Sequence, residues 1–256
     1  IPIIEHADVK RMLLAQKAYG EGALALELYC ARLVDEHHTA GEQVADDARL
    51  LLEVLTPIAK SWPSEWCLEA NSLAIQIHGG YGYTRDFPVE QYWRDNRLNM
   101  IHEGTHGIQA MDLLGRKVLM EEGRGLQLLA TRMTTTIQKA AAVPTLAAHA
   151  QALGRALQQV ARATQETWAN GAQPADVLAN AVPYMQAFGH TVLAWIWLDV
   201  VCTALGADPT MAHPHRADWQ PRAISSITNC PRSAPGWAWW WPGIPPAPTC
   251  PSRHSE

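Results

Sequence analysis

The residues best equipped for chemistry in this sequence are packed into one short stretch, Ile101-His102-Glu103-Gly104-Thr105-His106-Gly107. A carboxylate between two imidazoles can bind a metal or move a proton. As a string, His102-Glu103-Gly104-Thr105-His106 matches H-E-x-x-H, where one helix face carries two zinc-binding histidines at i and i+4 and the Glu acts as base. That geometry needs an unbroken helix. Here Gly104 falls inside the motif and Thr105 is a natural N-cap for a following helix. Gln109 stands where the extended zinc motif wants glycine, and no third ligand lies at a convincing spacing. The zinc hydrolase reading therefore loses to one without metal, in which Glu103 projects from a turn between two helices. The plain structural alternative is that Glu103 only complements the dipole of the helix after Thr105.

The surrounding residues, 71–118, read as helix, glycine turn, helix, tight turn, helix. The first helix stops where Gly79, Gly80 and Gly82 allow positive φ. A second begins after Pro88, which suits a first helical position, and runs through Val89, Tyr92 and Trp93 to about Leu98. The third runs from about Ile108, with apolar residues at Ile108, Met111, Leu114 and Val118.

Four linked motifs in this stretch resemble the C-terminal helical domain of the acyl-CoA dehydrogenases. They are Gln76-Ile77-His78-Gly79-Gly80-Tyr81-Gly82-Tyr83, Pro88-Val89-Glu90, Arg94-Asp95 and Ile101-His102-Glu103-Gly104-Thr105, in family order and spacing. The wording around them is similar to the larger branch, which includes the 3-methylmercaptopropionyl-CoA dehydrogenases. The resemblance is good from Ile1 to about Val118, moderate to about Gly206 and absent beyond.

The resemblance implies FAD as cofactor and an acyl-CoA thioester as substrate. Glu103 matches the base that removes the α-proton while flavin takes the β-hydride, giving a trans-2-enoyl-CoA. Such a base needs a raised pKa, supplied by a dry pocket, and enolate charge needs hydrogen-bond donors. Gly104 matches a substrate-contacting position. Gln76, Ile77, His78, Gly79 and Gly80 match residues that contact FAD from a neighbouring subunit, where bare glycine backbone admits a pyrophosphate. Thr105, His106 and Gly107 match flavin-contacting positions, though His106-Gly107 departs from the usual wording. Ala7 stands where many members place a flavin-contacting Gln. The resemblance also implies a homodimer or homotetramer with FAD near the subunit interface, and a flavoprotein-type electron-transfer acceptor.

A chain of 256 residues with 48% hydrophobic and 18% charged residues can bury a real core. Its net charge of −5 provides no electrostatic footprint for nucleic acid or an anionic membrane. Five scattered cysteines without a C-x-x-C pair favour reduced thiols and a cytoplasmic setting. The chain starts at Ile1 with no secretory signal, so the family's N-terminal and middle β-domains, and an Arg-containing flavin motif, are expected upstream of an N-terminally truncated piece.

The expected fold class is all-α: an up-and-down helical bundle over residues 1–120, a smaller additional helical domain over 121–211, and an irregular Pro/Trp-rich tail over 212–256. Residues 2–38 read as one long helix in which Gly20 and Gly22 mark close packing. A second spans 42–62 with a kink or restart at Pro57. Trp62-Pro63-Ser64-Glu65 reads as a stop and a new N-cap, followed by a helix over 64–77. Weaker helical stretches cover 126–141, 145–168 and 174–206. Within the last, the apolar run TVLAWIWLDVVCTALG is too short to span a bilayer and reads as a core helix or an oligomer contact. The tail shows neither helical nor strand period, as a reading-frame error near residue 210 would produce.

Overall fold

A computed structural model describes residues 1–169 and 173–207; the tail over 212–256 lies outside the described residues. Among the described residues the chain is all-α, with no strand. After a turn of 3-10 helix at Ile3–Glu5 come α1 (Ala7–Thr39), α2 (Glu42–His78), α3 (Val89–Leu98), α4 (His106–Gly115), α5 (Arg124–Ala141), α6 (Ala147–Thr167), α7 (Pro174–Leu178) and α8 (Ala181–Ala207). One hydrophobic core runs through them, from Ala15 and Tyr19 of α1 to Trp195, Trp197 and Val201 of α8.

The main departure from the sequence reading is α2. It is one helix through both Pro57 and Pro63, with no restart at the first and no stop at the second. Each proline removes a backbone donor and costs about 3 kcal/mol in a helix interior. Burial outweighs that propensity. Leu50, Leu51, Val54, Leu55, Ile58, Trp62 and Trp66 all lie in the core on one continuous face. Ser64, expected as an N-cap, instead donates its Oγ–H back to the Lys60 carbonyl at 2.5 Å.

The aromatic part of this face is packed against α1 and α8. Tyr19 stands 5.9 Å from Trp62 and 5.3 Å from Trp66. A side chain at Gly189 of α8 would place its Cβ 2.6 Å from Trp62 Cδ1, so the indole lies flat against helix backbone there. The same device recurs between α1 and α8. A Cβ at Gly22 would fall 2.6 Å from Trp197 Nε1, and that nitrogen donates to the Ala18 carbonyl at 3.0 Å. Gly22 thus marks close packing as expected. Gly20 does not, because a Cβ there meets nothing within 4 Å.

The stretch over 174–206 is two helices, broken between Leu178 and Ala181. α8 is longer than its apolar run and, against the expectation, long and apolar enough to cross a bilayer, so burial decides its role. Phe188, Val192, Leu193, Trp195 and Trp197 are all buried within the protein, as in a core helix. Before α5 the chain turns sharply through Glu121, Glu122 and Gly123, all at positive φ. Arg49 and Arg124 both pair with Glu121, and Arg124 also with Asp46 and Asp47, which ties this turn to the start of α2.

The two glycines of α1 make opposite predictions. Gly22→Val overpacks the α1–α8 contact and should lower stability by about 1–3 kcal/mol. Gly20→Ala fills open space on a helix and should raise it by up to about 1 kcal/mol. Urea unfolding of the two variants checks both signs.

Candidate functional site

α2 ends as the glycines require, though with less positive φ than expected. Gly79 alone of the three is left-handed, at φ 62°, and caps the helix. Gly82 serves a close approach: a Cβ there would meet the Ile75 carbonyl oxygen at 2.6 Å. A Cβ at Gly80 meets nothing, and Gln76, His78, Gly79 and Gly80 are exposed with Ile77 half-buried. Open, side-chain-free backbone at 79–80 fits the approach of a pyrophosphate.

Pro88 is the N-cap of α3 and not its first residue. None of α3 is buried; Tyr92, Trp93 and Leu98, through which its register is followed in the sequence, are all exposed.

The chemistry-bearing turn follows α3. Glu103 sits at φ 56° and Gly104 at φ 87°, two left-handed residues in succession. Thr105 is then extended, and its hydroxyl accepts the Ile108 N–H at 3.4 Å as the N-cap of α4. The helix that H-E-x-x-H needs is thus not formed. His102 turns its Nδ1 to the Leu98 carbonyl, 3.2 Å away, and His106 turns inward to α2.

Glu103 itself is exposed, and so are Leu98, Ile101, Ile108 and Met111, before and after it in the sequence, at 56%, 51%, 53% and 43%. A dry environment for this carboxylate therefore has to come from whatever covers the turn. Gly104 is half-buried; a Cβ there would fall 2.7 Å from Gln109 Nε2, which itself donates to the Glu103 carbonyl at 3.2 Å. Thr105 is exposed and Gly107 half-buried, with open space at its missing Cβ.

Sequence reasoning missed the polar groups beneath the turn. His106 Nε2 lies 3.2 Å from Glu65 Oε2, and the His106 side chain is only 14% exposed. Any flavin contact at His106 is thereby left to its backbone. Glu65 Oε1 accepts from Gln186 Nε2 at 2.7 Å. One turn further along α8, His190 stacks edge-on against Trp66 at 4.5 Å. Its Nδ1 is 2.8 Å from the Gln186 carbonyl, the contact that places the proton on Nδ1, with Trp62 Nε1 3.3 Å away. Burial draws its pKa down to about 4, against smaller opposing effects of the Gln186 carbonyl and Glu65. No periodicity marks these residues as a group, because they come together from three helices, α2, α4 and α8.

The candidate residues fall into two groups. From Lys60, which touches the turn at Gly104, to His78 the helix rises about 27 Å. Residues 76–80 thus lie at the C-terminal end of α2, and residues 103–107 lie against its middle.

Comparison with known proteins places these features in a family. "Acyl-CoA dehydrogenase, C-terminal domain" matches residues 1–119, and "Acetyl-CoA dehydrogenase C-terminal like" matches residues 129–218. The chain is 34% identical over 230 residues to 3-methylmercaptopropionyl-CoA dehydrogenase of Ruegeria pomeroyi, covering 88% of this chain and 38% of that protein. It is 30% identical over 218 residues to a broad-specificity linear acyl-CoA dehydrogenase of Mycobacterium tuberculosis, covering 81% and 35%. An acyl-CoA dehydrogenase of Bacillus anthracis, solved in complex with FAD, shares the fold at a TM-score of 0.69 and 17% identity, over 89% of this chain and 41% of that one. The chain spans little more than a third of the length of these curated relatives.

Two predictions follow from the geometry. A non-glycine residue in the left-handed region costs about 1–2 kcal/mol, so Glu103→Gly should leave the fold no less stable and raise its stability by up to about 1 kcal/mol in chemical unfolding. His190 is held neutral below its ordinary value of 6.5. The unfolded chain therefore binds more protons between pH 6.5 and 4, so the stability due to His190 is intact above 6.5 and is lost as pH falls toward 4. Wild type should lose up to about 1.4 kcal/mol per pH unit more than His190→Gln across that window, measured by unfolding at fixed pH values.

Proposed function

We propose, because the chain belongs to the acyl-CoA dehydrogenase family, that it forms the C-terminal part of an FAD-dependent acyl-CoA dehydrogenase in which Glu103 is the catalytic base. The observation that carries this reading is the conformation of the turn. Glu103 is lifted out of both flanking helices at φ 56° and is exposed. An acid that merely complemented the α4 dipole would gain nothing from a strained backbone.

In the proposed reaction the Glu103 carboxylate takes the α-proton of an acyl-CoA thioester, and the product is a trans-2-enoyl-CoA. Bound FAD supplies the acceptor for the β-hydride. The chain's own part is to fix the acid and, through the open backbone at Gly104, to let the thioester lie beside it. Thr105, His106 and Gly107 would line the flavin through their backbone at the start of α4. Gln76, Ile77, His78, Gly79 and Gly80, at the distant end of α2, would hold the pyrophosphate part of a second FAD in a neighbouring subunit. The separation of the two groups along α2 supports this sharing, and with it a homodimer or homotetramer. The electrons would pass on to a flavoprotein-type carrier. Cys30, Cys67 and Cys202 are unpaired, which suits a reducing cytoplasm.

The test is Glu103→Gln in the flavin-loaded enzyme, expressed from the coding sequence together with whatever precedes codon 1. The variant should keep its FAD and lose acyl-CoA oxidation by about 10²–10⁴-fold, the range for a general base. Activity within twofold of wild type would overturn the assignment.

A further inference from the structure

Lys60 reaches from the middle of α2 to both ends of the Glu103 turn. Its Nζ donates to the Asn99 carbonyl at 2.8 Å and to the Gly104 carbonyl at 2.7 Å. Asn99 is the C-cap of α3 and Gly104 directly precedes the N-cap of α4. One ammonium thus bridges the points where the chain leaves one helix and enters the next. The Asn99 contact suits a cation, since carbonyls at a helix C-terminus carry partial negative charge, and at both carbonyls a charged donor makes the stronger hydrogen bond.

The turn between these points needs such a bridge. Two consecutive left-handed residues persist only where the surroundings determine them. The other ties are neutral: Gln109 Nε2 to the Glu103 carbonyl at 3.2 Å, and the His106 N–H to the Met100 carbonyl at 3.2 Å. Lys60 is half-buried, and its environment shows a relation to the acid: partial burial draws its pKa down, while the Glu103 carboxylate acts to raise it. Five residues along α2, Glu65 meets His106 at the first turn of α4, so the same helix reaches the turn at two levels.

We propose that Lys60 is a positioning residue: by hydrogen-bonding the carbonyls of Asn99 and Gly104 it holds the turn in the left-handed form that presents Glu103. The proposal rests on Glu103 as base for its consequence in catalysis, but the clamp itself is a property of this chain.

The test pairs Lys60→Met, which keeps the aliphatic stem and removes the donors, with Lys60→Arg, which restores charged donors. In the full chain, Lys60→Met should speed amide hydrogen exchange over residues 99–106 by at least about tenfold, with protection in α1 and the rest of α2 unchanged; Lys60→Arg should recover most of it. In the flavin-loaded enzyme, Lys60→Met should lower kcat about 10–100-fold, with KM within about threefold and flavin content unchanged, and Lys60→Arg should again recover most of the loss. Unchanged exchange at 99–106, or a loss of protection spread over the whole chain, overturns the clamp. A loosened turn with wild-type kcat, in an enzyme that Glu103→Gln inactivates, overturns the positioning role. Full activity of Glu103→Gln sinks the base assignment instead, and the exchange data then decide on the clamp alone.

Discussion

The continuity of α2 through Pro57 and Pro63 is the constraint on which the rest of the structure depends. A kink at either proline would turn Trp62 and Trp66 away from Tyr19 and His190, and would swing Lys60 and Glu65 off the turn they hold. Two helix-breaking residues are tolerated because the apolar face on either side of them is buried as one surface. The indole of Trp62 is locked against Gly189, where even one methyl group would collide. Packing between helices thus sets the shape of the rod, and the rod sets the place of the acid.

The length of α2 also separates the two candidate groups. The core contacts occupy one face of α2 along its middle, the Glu103 turn is held from the same region, and the glycine turn hangs from the far end. The exposed apolar residues of α3 and of the turn belong to the same arrangement, because α3 buries nothing and its surface is left for something else to cover.

Much of the turn was legible in the sequence because its determinants are local. Gly104 and Thr105 decide within three residues that no helix can pass through H-E-x-x-H, and they do so by backbone conformation and capping. Gly79 as the end of α2 was legible for the same reason. The prolines misled because propensity speaks for an isolated segment, while the cost at Pro57 and Pro63 is offset by side chains on other helices. The split of 174–206 into two helices escaped notice because the apolar pattern continues across it. Lys60, Glu65 and His190 gave no signal: the first two look like ordinary polar positions on a helix, and each gains its role from residues tens of positions away.

The strain at Glu103 then has a physical sense. An acid at the end of an α-helix points where the helix directs it, and its backbone N–H is committed to helical hydrogen bonding. In the left-handed form the carboxylate leaves the line of both helices and the backbone around it is no longer continuous with either. That conformation is disfavoured for any residue with a side chain. It is kept by bonds from outside the turn, a cation on α2 and an amide on α4, that reach its carbonyls and leave the carboxylate exposed. Holding the backbone and leaving the side chain exposed is what the proposed role as a base would require: an acid fixed in place and open to substrate.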